Sequence, residues 1–354
     1  MSQVVLKEVE QLEPHIRGKK LLLVRGGSYS HLQIRHFFER FDCVEFTEFT
    51  PNPSYEQVCE GVKRFQAEGC DMVVAVGGGS AMDVAKCIKL YCKMGMEKNY
   101  LEQELFDTEV PLIAMPTTAG SGSEATRYAV IYYEGKKQSV AHDSILPDYV
   151  VLESSVLKKL PIYQKKCTMM DALCQAIESW WSVKANEESK SYARKTIVGI
   201  RENWRSYIEE GTQTASMKIM EAANYSGRAI NITATTAAHA MSYKLTSLYG
   251  LPHGHAVALC MVEVWKYNME HIENCADSRS AAYLAEVFRE LSELIDYNQY
   301  CKLLEELQLE KPTSVLKEQE LEKLAESVNA LRLKNNPVTL SEDVIREMYE
   351  RIVI

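Results

Sequence analysis

Asp171 stands in the run Met170-Asp171-Ala172-Leu173-Cys174-Gln175-Ala176-Ile177-Glu178, an acid in an otherwise apolar stretch. Gln175 follows it at i+4, so one helix face carries both side chains. His239 lies in Ala237-Ala238-His239-Ala240-Met241 and His253 in Leu251-Pro252-His253-Gly254-His255. Pro252 suits the first position of a helix. An imidazole there is kept neutral by the helix dipole, which is the form a metal needs. One carboxylate and two imidazoles on three different helices can close a divalent-metal site with open positions. Taken singly, each histidine reads more simply as a hydrogen-bonded core or surface residue. With eight histidines in 354 residues, chance pairs are common.

Two loops in the first half have a different chemistry. Val74-Ala75-Val76-Gly77-Gly78-Gly79-Ser80 takes a buried strand into three glycines, and Met82-Asp83-Val84-Ala85-Lys86 continues as a helix. Such a turn lets backbone approach a pyrophosphate, and the helix start adds N–H donors and a positive dipole. Ser80 and Asp83 resemble a capping pair. The spacing is not G-x-G-x-x-G, and a plain strand-to-helix turn reads equally well. Pro116-Thr117-Thr118-Ala119-Gly120-Ser121-Gly122-Ser123 crowds hydroxyls and glycines at the end of another strand, where open α/β sheets bind ligands. Its alternative is a polar loop.

These residues need elements to carry them. Up to about residue 150, short apolar runs alternate with amphipathic stretches. Strands are predicted at 19–24, 43–49, 71–76 and 111–115, and helices at 30–40, 54–68 and 80–94, with Ser54 as a cap. This βαβ alternation implies a parallel sheet with helices on both faces. Beyond residue 155 the period is 3.6, with helices predicted at 164–183, 188–209, 213–248, 253–269, 279–294, 299–307, 318–330 and 341–352. The expected organisation is an α/β domain over 1–155 and an all-helical domain over 156–354.

Composition bounds the partners. A length of 354 residues fits two domains at about 150 residues each. Apolar residues at 46% and charged residues at 25% describe a soluble globular chain. A net charge of −9 argues against nucleic acid or an anionic membrane as main partner. No apolar run reaches the roughly 18–20 residues of a membrane span, and Met1-Ser2-Gln3 opens no signal peptide. The ten cysteines are scattered without a C-x-x-C, which fits a cytoplasmic protein with free, mostly buried thiols.

The combination resembles the iron-containing (group III) alcohol dehydrogenase family, whose relatives include glycerol dehydrogenase and dehydroquinate synthase. The matching text is VVAVGGGSAMDVAK (73–86), PTTAGSGSEATRYAV (116–130), LPDYVVLESSVLKKLP (146–161), MDALCQAIES (170–179) and AAHAMSY with LPHGHA (237–256), in order over roughly residues 15–300. The resemblance implies a dehydroquinate synthase-like nucleotide-binding α/β domain, an all-α domain, an active site in the cleft between them, and a homodimer or larger assembly. It carries the metal ligands to Asp171, Gln175, His239 and His253, for Fe²⁺ or Zn²⁺. Most family members have His where Gln175 stands, and Gln offers only a neutral carbonyl oxygen. It places the cofactor on Gly26, Gly27, Ser28, Gly77, Gly78, Gly79, Ser80, Asp83, Thr117, Thr118, Ser121 and Lys137. Tyr243 replaces a frequent family His; its phenol is expected either to take over part of a proton relay, with His255 assisting, or to shape the pocket only.

Two finer expectations follow. Family members that prefer NAD tend to carry Asp near Gly26. Here Arg25 and Ser28 stand there and suit a 2′-phosphate, so NADPH is expected ahead of NADH. TRYAV, AHDS (141–144), TTAAHAMSY and PHGHA resemble the branch that interconverts phosphonoacetaldehyde and 2-hydroxyethylphosphonate. Arg127, with its fork-shaped guanidinium, and His142 are the expected substrate-binding residues. A neutral alcohol or polyol is the alternative substrate, and an ion pair is the alternative reading of Arg127.

Overall fold

A computed structural model describes residues 3–314 and 316–353. The chain divides into two compact units, Met1–Leu160 with Gly211–Met220, and Pro161–Glu210 with Glu221–Ile354.

The first unit is built on a six-stranded sheet in which every pairing is parallel: β1 (Val4–Leu6), β2 (Leu21–Arg25), β3 (Cys43–Phe46), β4 (Met72–Gly77), β5 (Leu112–Pro116) and, after a hairpin, β8 (Tyr149–Val151). The hairpin is the antiparallel pair β6 (Tyr128–Tyr133) and β7 (Lys136–Ala141). All residues of β4 and β5 are buried, as continuous apolar runs in a parallel sheet require. Strand order is β1-β8-β5-β4-β2-β3. The chain runs outward from β2 to β3, then crosses back to β4 on the other side of β2. The switch point therefore lies between β2 and β4, where open sheets hold ligands beyond the strands' carboxyl ends.

Helix α1 (Tyr55–Glu68) starts where expected. Ser54 accepts from the Gln57 N–H and Gln57 returns a bond to the Ser54 N–H, a capping box. It stops at Gly69, whose φ of 64° suits glycine. Helix α2 (Gly79–Tyr91) follows β4 directly. Gly61 lets α1 lie against α2, since a Cβ there would meet Ile88 Cγ1 at 2.9 Å and Phe46 Cε1 at 3.0 Å.

The second unit is helical: α3 (Ile162–Trp181), α4 (Glu187–Arg205), α5 (Gln213–Thr233, whose first residues group with the first unit), α6 (Ala237–Tyr249), α7 (His253–Glu270), α8 (Ala281–Leu294), α9 (Tyr297–Glu306), α10 (Glu318–Glu326) and α11 (Glu342–Ile352). Every residue from Met169 to Trp181 is buried, so α3 is its central helix.

Three predicted helices are corrected. Residues 30–40 hold a 3₁₀ turn (Gly27–His31) and one α turn (Arg35–Phe38), because Leu32 between them is extended. Residues 213–248 are two helices, broken where Ala234 takes φ 54° and Thr236 leaves helical geometry. The broken ladder is repaired by side chains: Ser182 Oγ donates to the Thr233 carbonyl at 3.4 Å and Asn335 to the Thr235 carbonyl at 3.2 Å. Residues 318–330 end at Glu326, and Asn329 caps a separate turn. Periodicity did not find β1, β8 or the hairpin. The cysteines are free, with Cys70, Cys87, Cys92, Cys167, Cys174 and Cys260 buried. Among the described residues, no helix is long and apolar enough to cross a membrane.

Gly61→Ala sets helix propensity against packing. Alanine gains about 1 kcal/mol inside a helix, whereas overpacking a filled core costs about 1–3 kcal/mol. The expected outcome is a lower urea midpoint; a raised midpoint would show that Ile88 swings clear.

Candidate metal centre and nucleotide cradle

In the first unit three loops converge at the carboxyl ends of β2, β4 and β5. The Gly26 N–H donates to the Val76 carbonyl at 3.1 Å, and the Thr117 N–H to the Gly77 carbonyl at 2.9 Å. A Cβ on Gly77 would lie 2.6 Å from the Ala81 Cβ and 3.4 Å from the Gly26 nitrogen, so only glycine permits this approach. A Cβ on Gly78 would come within 3.7 Å of Thr118 Oγ1, and one on Gly79 within 3.7 Å of Ser121 Oγ. Gly26, Gly77, Gly78, Gly79, Thr117, Thr118 and Ser121 are therefore neighbours. Gly27 and Ser28 open the adjoining 3₁₀ turn, and Ser80 Oγ accepts from the Asn52 N–H at 3.4 Å. Helix α2 begins at Gly79 with no side-chain cap, leaving its N-terminal dipole and donors to face the glycine loop.

Lys86 braces this region from beneath. Its ammonium, with three protons, lies within hydrogen-bond reach of four oxygens: the Ser123 carbonyl (2.6 Å), Ser123 Oγ (3.1 Å), Thr126 Oγ1 (3.1 Å) and the Tyr128 carbonyl (2.7 Å). Burial lowers its basicity, against the opposing charge of Asp83. Asp83 faces inward, 3.5 Å from Ser123 Oγ, and burial raises its carboxyl although Lys86, the Val130 N–H and the Lys137 charge oppose this. So half-buried Asp83 and Lys137 feel each other's charge beside Lys86, below the loops.

Arg25 has a partner that sequence reasoning missed. Its Nε and Nη2 both donate to Glu45 Oε2, at 2.9 and 2.7 Å, and its guanidinium lies 5.4 Å from the centre of the Tyr29 ring. Arg127 donates to Asp143 Oδ1 at 2.7 Å and lies over Tyr128; both partners of that pair are exposed. His142 caps the turn at Asp143–Ile145, its Nδ1 accepting from the Ser144 N–H.

In the second unit, Asp171, His239 and His253 each offer one ligand atom, and these atoms lie within 4.8 Å of one another. His239 Nε2 is 3.2 Å and His253 Nε2 3.9 Å from Asp171 Oδ1. Asp171 and His239 are buried and His253 is half-exposed. The other nitrogen of His239, Nδ1, bonds Glu178 Oε2. Glu178 Oε1 accepts from Thr236 Oγ1 (2.7 Å) and from the His239 N–H (3.3 Å). Thr236 also accepts from Trp181 Nε1 at 3.2 Å. The break between α5 and α6 is thus what delivers Thr236 and His239 to Glu178. Glu178 was missed in the sequence, although Asp171, Gln175 and Glu178 fall at i, i+4 and i+7 on one face of α3.

The electrostatics follow from burial and pairing. Burial disfavours an imidazolium at His239, but Glu178 and Asp171 outweigh it and raise the ring to about 10. Burial would raise Asp171 and Glu178, yet contacts with His239 hold both carboxyls below their usual range. The Nδ1 bond to Glu178 aims Nε2 at Asp171, the carboxylate–histidine arrangement that orients metal ligands. A buried carboxylate and two imidazoles fit Zn²⁺ or Fe²⁺.

The remaining residues sort around this triad. Gln175 is buried, its amide oxygen accepting from Ser226 Oγ at 2.8 Å while the side chain also bonds Asp171. The Tyr243 ring stacks on His253, centroids 5.7 Å apart and planes within 3°. His255 is 200° from His253 around α7 and faces another way. Its Nε2 donates to the Glu310 carbonyl (2.9 Å), and its Nδ1 accepts from Tyr163 OH (2.8 Å). Burial lowers its basicity, so the ring is neutral with both nitrogens engaged.

Comparison with known proteins shows the family and the fold. Residues 3–154 match the iron-containing alcohol dehydrogenase family, and residues 166–353 match the C-terminal part of the Fe-containing alcohol dehydrogenase family. The probable alcohol dehydrogenase EutG of Escherichia coli (strain K12) is 32% identical over 61% of this chain and 56% of its own. The phosphonoacetaldehyde reductase of Streptomyces viridochromogenes is 30% identical over 67% of this chain and 63% of its own. The matched region thus spans little more than half the length of the first such relatives. The crystal structure of a sulfoacetaldehyde reductase from Bifidobacterium kashiwanohense in complex with NAD⁺ superposes with a TM-score of 0.87 at 24% identity, covering 99% of this chain and 96% of that one, a likeness of fold.

Gly254 sets how closely α7 approaches α3. A Cβ there would collide with the Cys167 carbonyl and lie 2.9 Å from the Asp171 Cβ. Backbone cannot swing aside as a side-chain tip can, so Gly254→Ala is expected to cost about 3 kcal/mol. Urea unfolding measures it; an unchanged midpoint would show that α7 does not depend on this contact.

Proposed function

The chain belongs to the iron-containing alcohol dehydrogenase family, and on that premise we propose that it is a metal-dependent NAD(P)H oxidoreductase interconverting a small aldehyde and its primary alcohol. The observation that carries this function is the convergence of Asp171, His239 and His253. A divalent cation held there would polarise the aldehyde oxygen, and a bound reduced nicotinamide would supply the hydride. The chain's own residues do the rest. Glu178 fixes the tautomer and direction of His239. Tyr243, stacked on His253, shapes the substrate side of the centre and offers a phenol for the proton that completes the alcohol. His255, whose two nitrogens bond Tyr163 and Glu310 on another face of α7 from His253, takes no part in that relay. The glycine loops and the uncapped start of α2 seat the pyrophosphate.

For the aldehyde, the reading is phosphonoacetaldehyde, reduced to 2-hydroxyethylphosphonate. Its support is the narrower resemblance and the similarity to a phosphonoacetaldehyde reductase. The Arg127–Asp143 pair does not oppose this. An exposed ion pair is worth about 0–1 kcal/mol, so a doubly charged phosphonate displaces the carboxylate easily. For the cofactor, NADPH must take Arg25 from Glu45, whereas NADH needs no displacement and finds in Glu45 an acceptor for a ribose hydroxyl.

Two measurements test this function. Nicotinamide absorbance is followed with phosphonoacetaldehyde and with neutral aldehydes of similar size, before and after chelation. Turnover is expected to fall at least about 100-fold without metal and in Asp171→Asn, and kcat/KM to favour the phosphonate about tenfold or more, a preference that Arg127→Ala removes. Equal kcat/KM for charged and neutral aldehydes would point to an ordinary alcohol or polyol dehydrogenase, and full turnover after complete metal removal would sink the metal role. In the second measurement, Glu45→Gln frees Arg25 and is expected to raise the NADPH/NADH ratio of kcat/KM about tenfold. An unchanged ratio would place the 2′-position elsewhere.

A further inference from the structure

Ser226 lies on α5 with no exposure, and its hydroxyl has two acceptors within reach. Oγ is 2.8 Å from Gln175 Oε1 and 2.7 Å from the Ala223 carbonyl. A hydroxyl has one proton, so it can satisfy only one of them fully. The two ends of the Gln175 amide are nearly the same shape, and turning it over exchanges oxygen for nitrogen with little change in packing. In one orientation Ser226 donates to the amide oxygen and the amide nitrogen donates to Asp171. In the other, the amide nitrogen donates to Ser226 Oγ, the Ser226 proton points to the Ala223 carbonyl, and the amide oxygen faces Asp171. Both orientations satisfy every polar atom at Ser226. The second sets two oxygens side by side, which is repulsive unless a cation lies between them.

Resting on the metal-centre reading above, we propose that Ser226 is the positioning residue that lets Gln175 serve as a fourth, switchable ligand. Cation binding turns the amide over, and the hydroxyl changes from its donor to its acceptor. A neutral oxygen enters the Asp171–His239–His253 set in this way without a second carboxylate or a third imidazole. The Ala223 carbonyl is the second feature that makes this work, because it takes the hydroxyl proton when the amide no longer does.

Co²⁺ titrated into chelator-stripped full-length protein tests the switch, since visible bands of tetrahedral Co²⁺ are intense and those of higher coordination weak. With Gln175 and one water beside the three residues the ion is five-coordinate, so the wild-type spectrum is expected to be weak; in Gln175→Ala the three residues and the water leave it four-coordinate, and the spectrum is expected to be intense. Ser226→Ala is expected to shift toward Gln175→Ala and to bind Co²⁺ about tenfold more weakly. Ser226→Thr, which keeps the hydroxyl, is expected to restore the wild-type spectrum and affinity and serves as the reference if Ser226→Ala is unstable. Identical spectra for wild type and Gln175→Ala would overturn the switch while leaving the three-residue metal centre intact. So would wild-type spectrum and affinity in Ser226→Ala. Failure of the wild-type protein to take up Co²⁺ at all would overturn the metal centre itself.

Discussion

The bond between Glu178 and His239 organises the second unit. Helix α3 is buried on all sides along Met169–Trp181, yet it carries Asp171, Gln175 and Glu178. A buried carboxylate left without its partner costs about 3–5 kcal/mol, a large share of the stability of any domain. The fold meets this demand by bringing polar groups to α3: His239 between the two carboxylates, Thr236 to Glu178, and Ser226 to Gln175. The same pairings arrange a triad of ligand atoms. Stability and chemistry therefore draw on one set of contacts, and the interruption of the helix at Ala234–Thr236 is what makes them reachable.

The first unit solves a different problem with backbone. Its parallel strands end at one edge, and the chain reverses direction between β2 and β4. Glycines at 26 and 77 let two strand ends approach to contact, and the loop after β5 closes over Gly78 and Gly79. Lys86 holds that loop by directing its three protons at oxygens of Ser123, Thr126 and Tyr128, giving a buried cation full satisfaction without a direct carboxylate contact. Rigidity below and open N–H groups above suit a surface for phosphates.

Much of this was legible in the residues themselves. Strand–glycine–helix patterns located β4 and α2, Ser54 as a cap located α1, the apolar setting of Asp171 and His239 singled those two out, and the helix start after Pro252 singled out His253. What escaped has physical reasons. A positive φ at Ala234 leaves no mark on a 3.6-residue period, so residues 213–248 read as one helix. Leu32 is extended for tertiary reasons that periodicity does not record. The strand residues of β1 and β8 are too few to show alternation. Glu45, Ser226 and Ala223 carry no motif; each matters only through the partner that folding brings to it.

The chain alone determined the class of each layer and the types of its reactive groups, because hydrophobic period and side-chain chemistry are local properties. Tertiary structure decided which of those groups are engaged and with whom. Arg25 meets Glu45, Arg127 meets Asp143, His255 is held by Tyr163 and Glu310, and Gln175 faces Ser226. The reason is that a side chain's charge state and direction depend on neighbours within a few ångströms, and those neighbours here lie from 16 to 92 residues away along the chain.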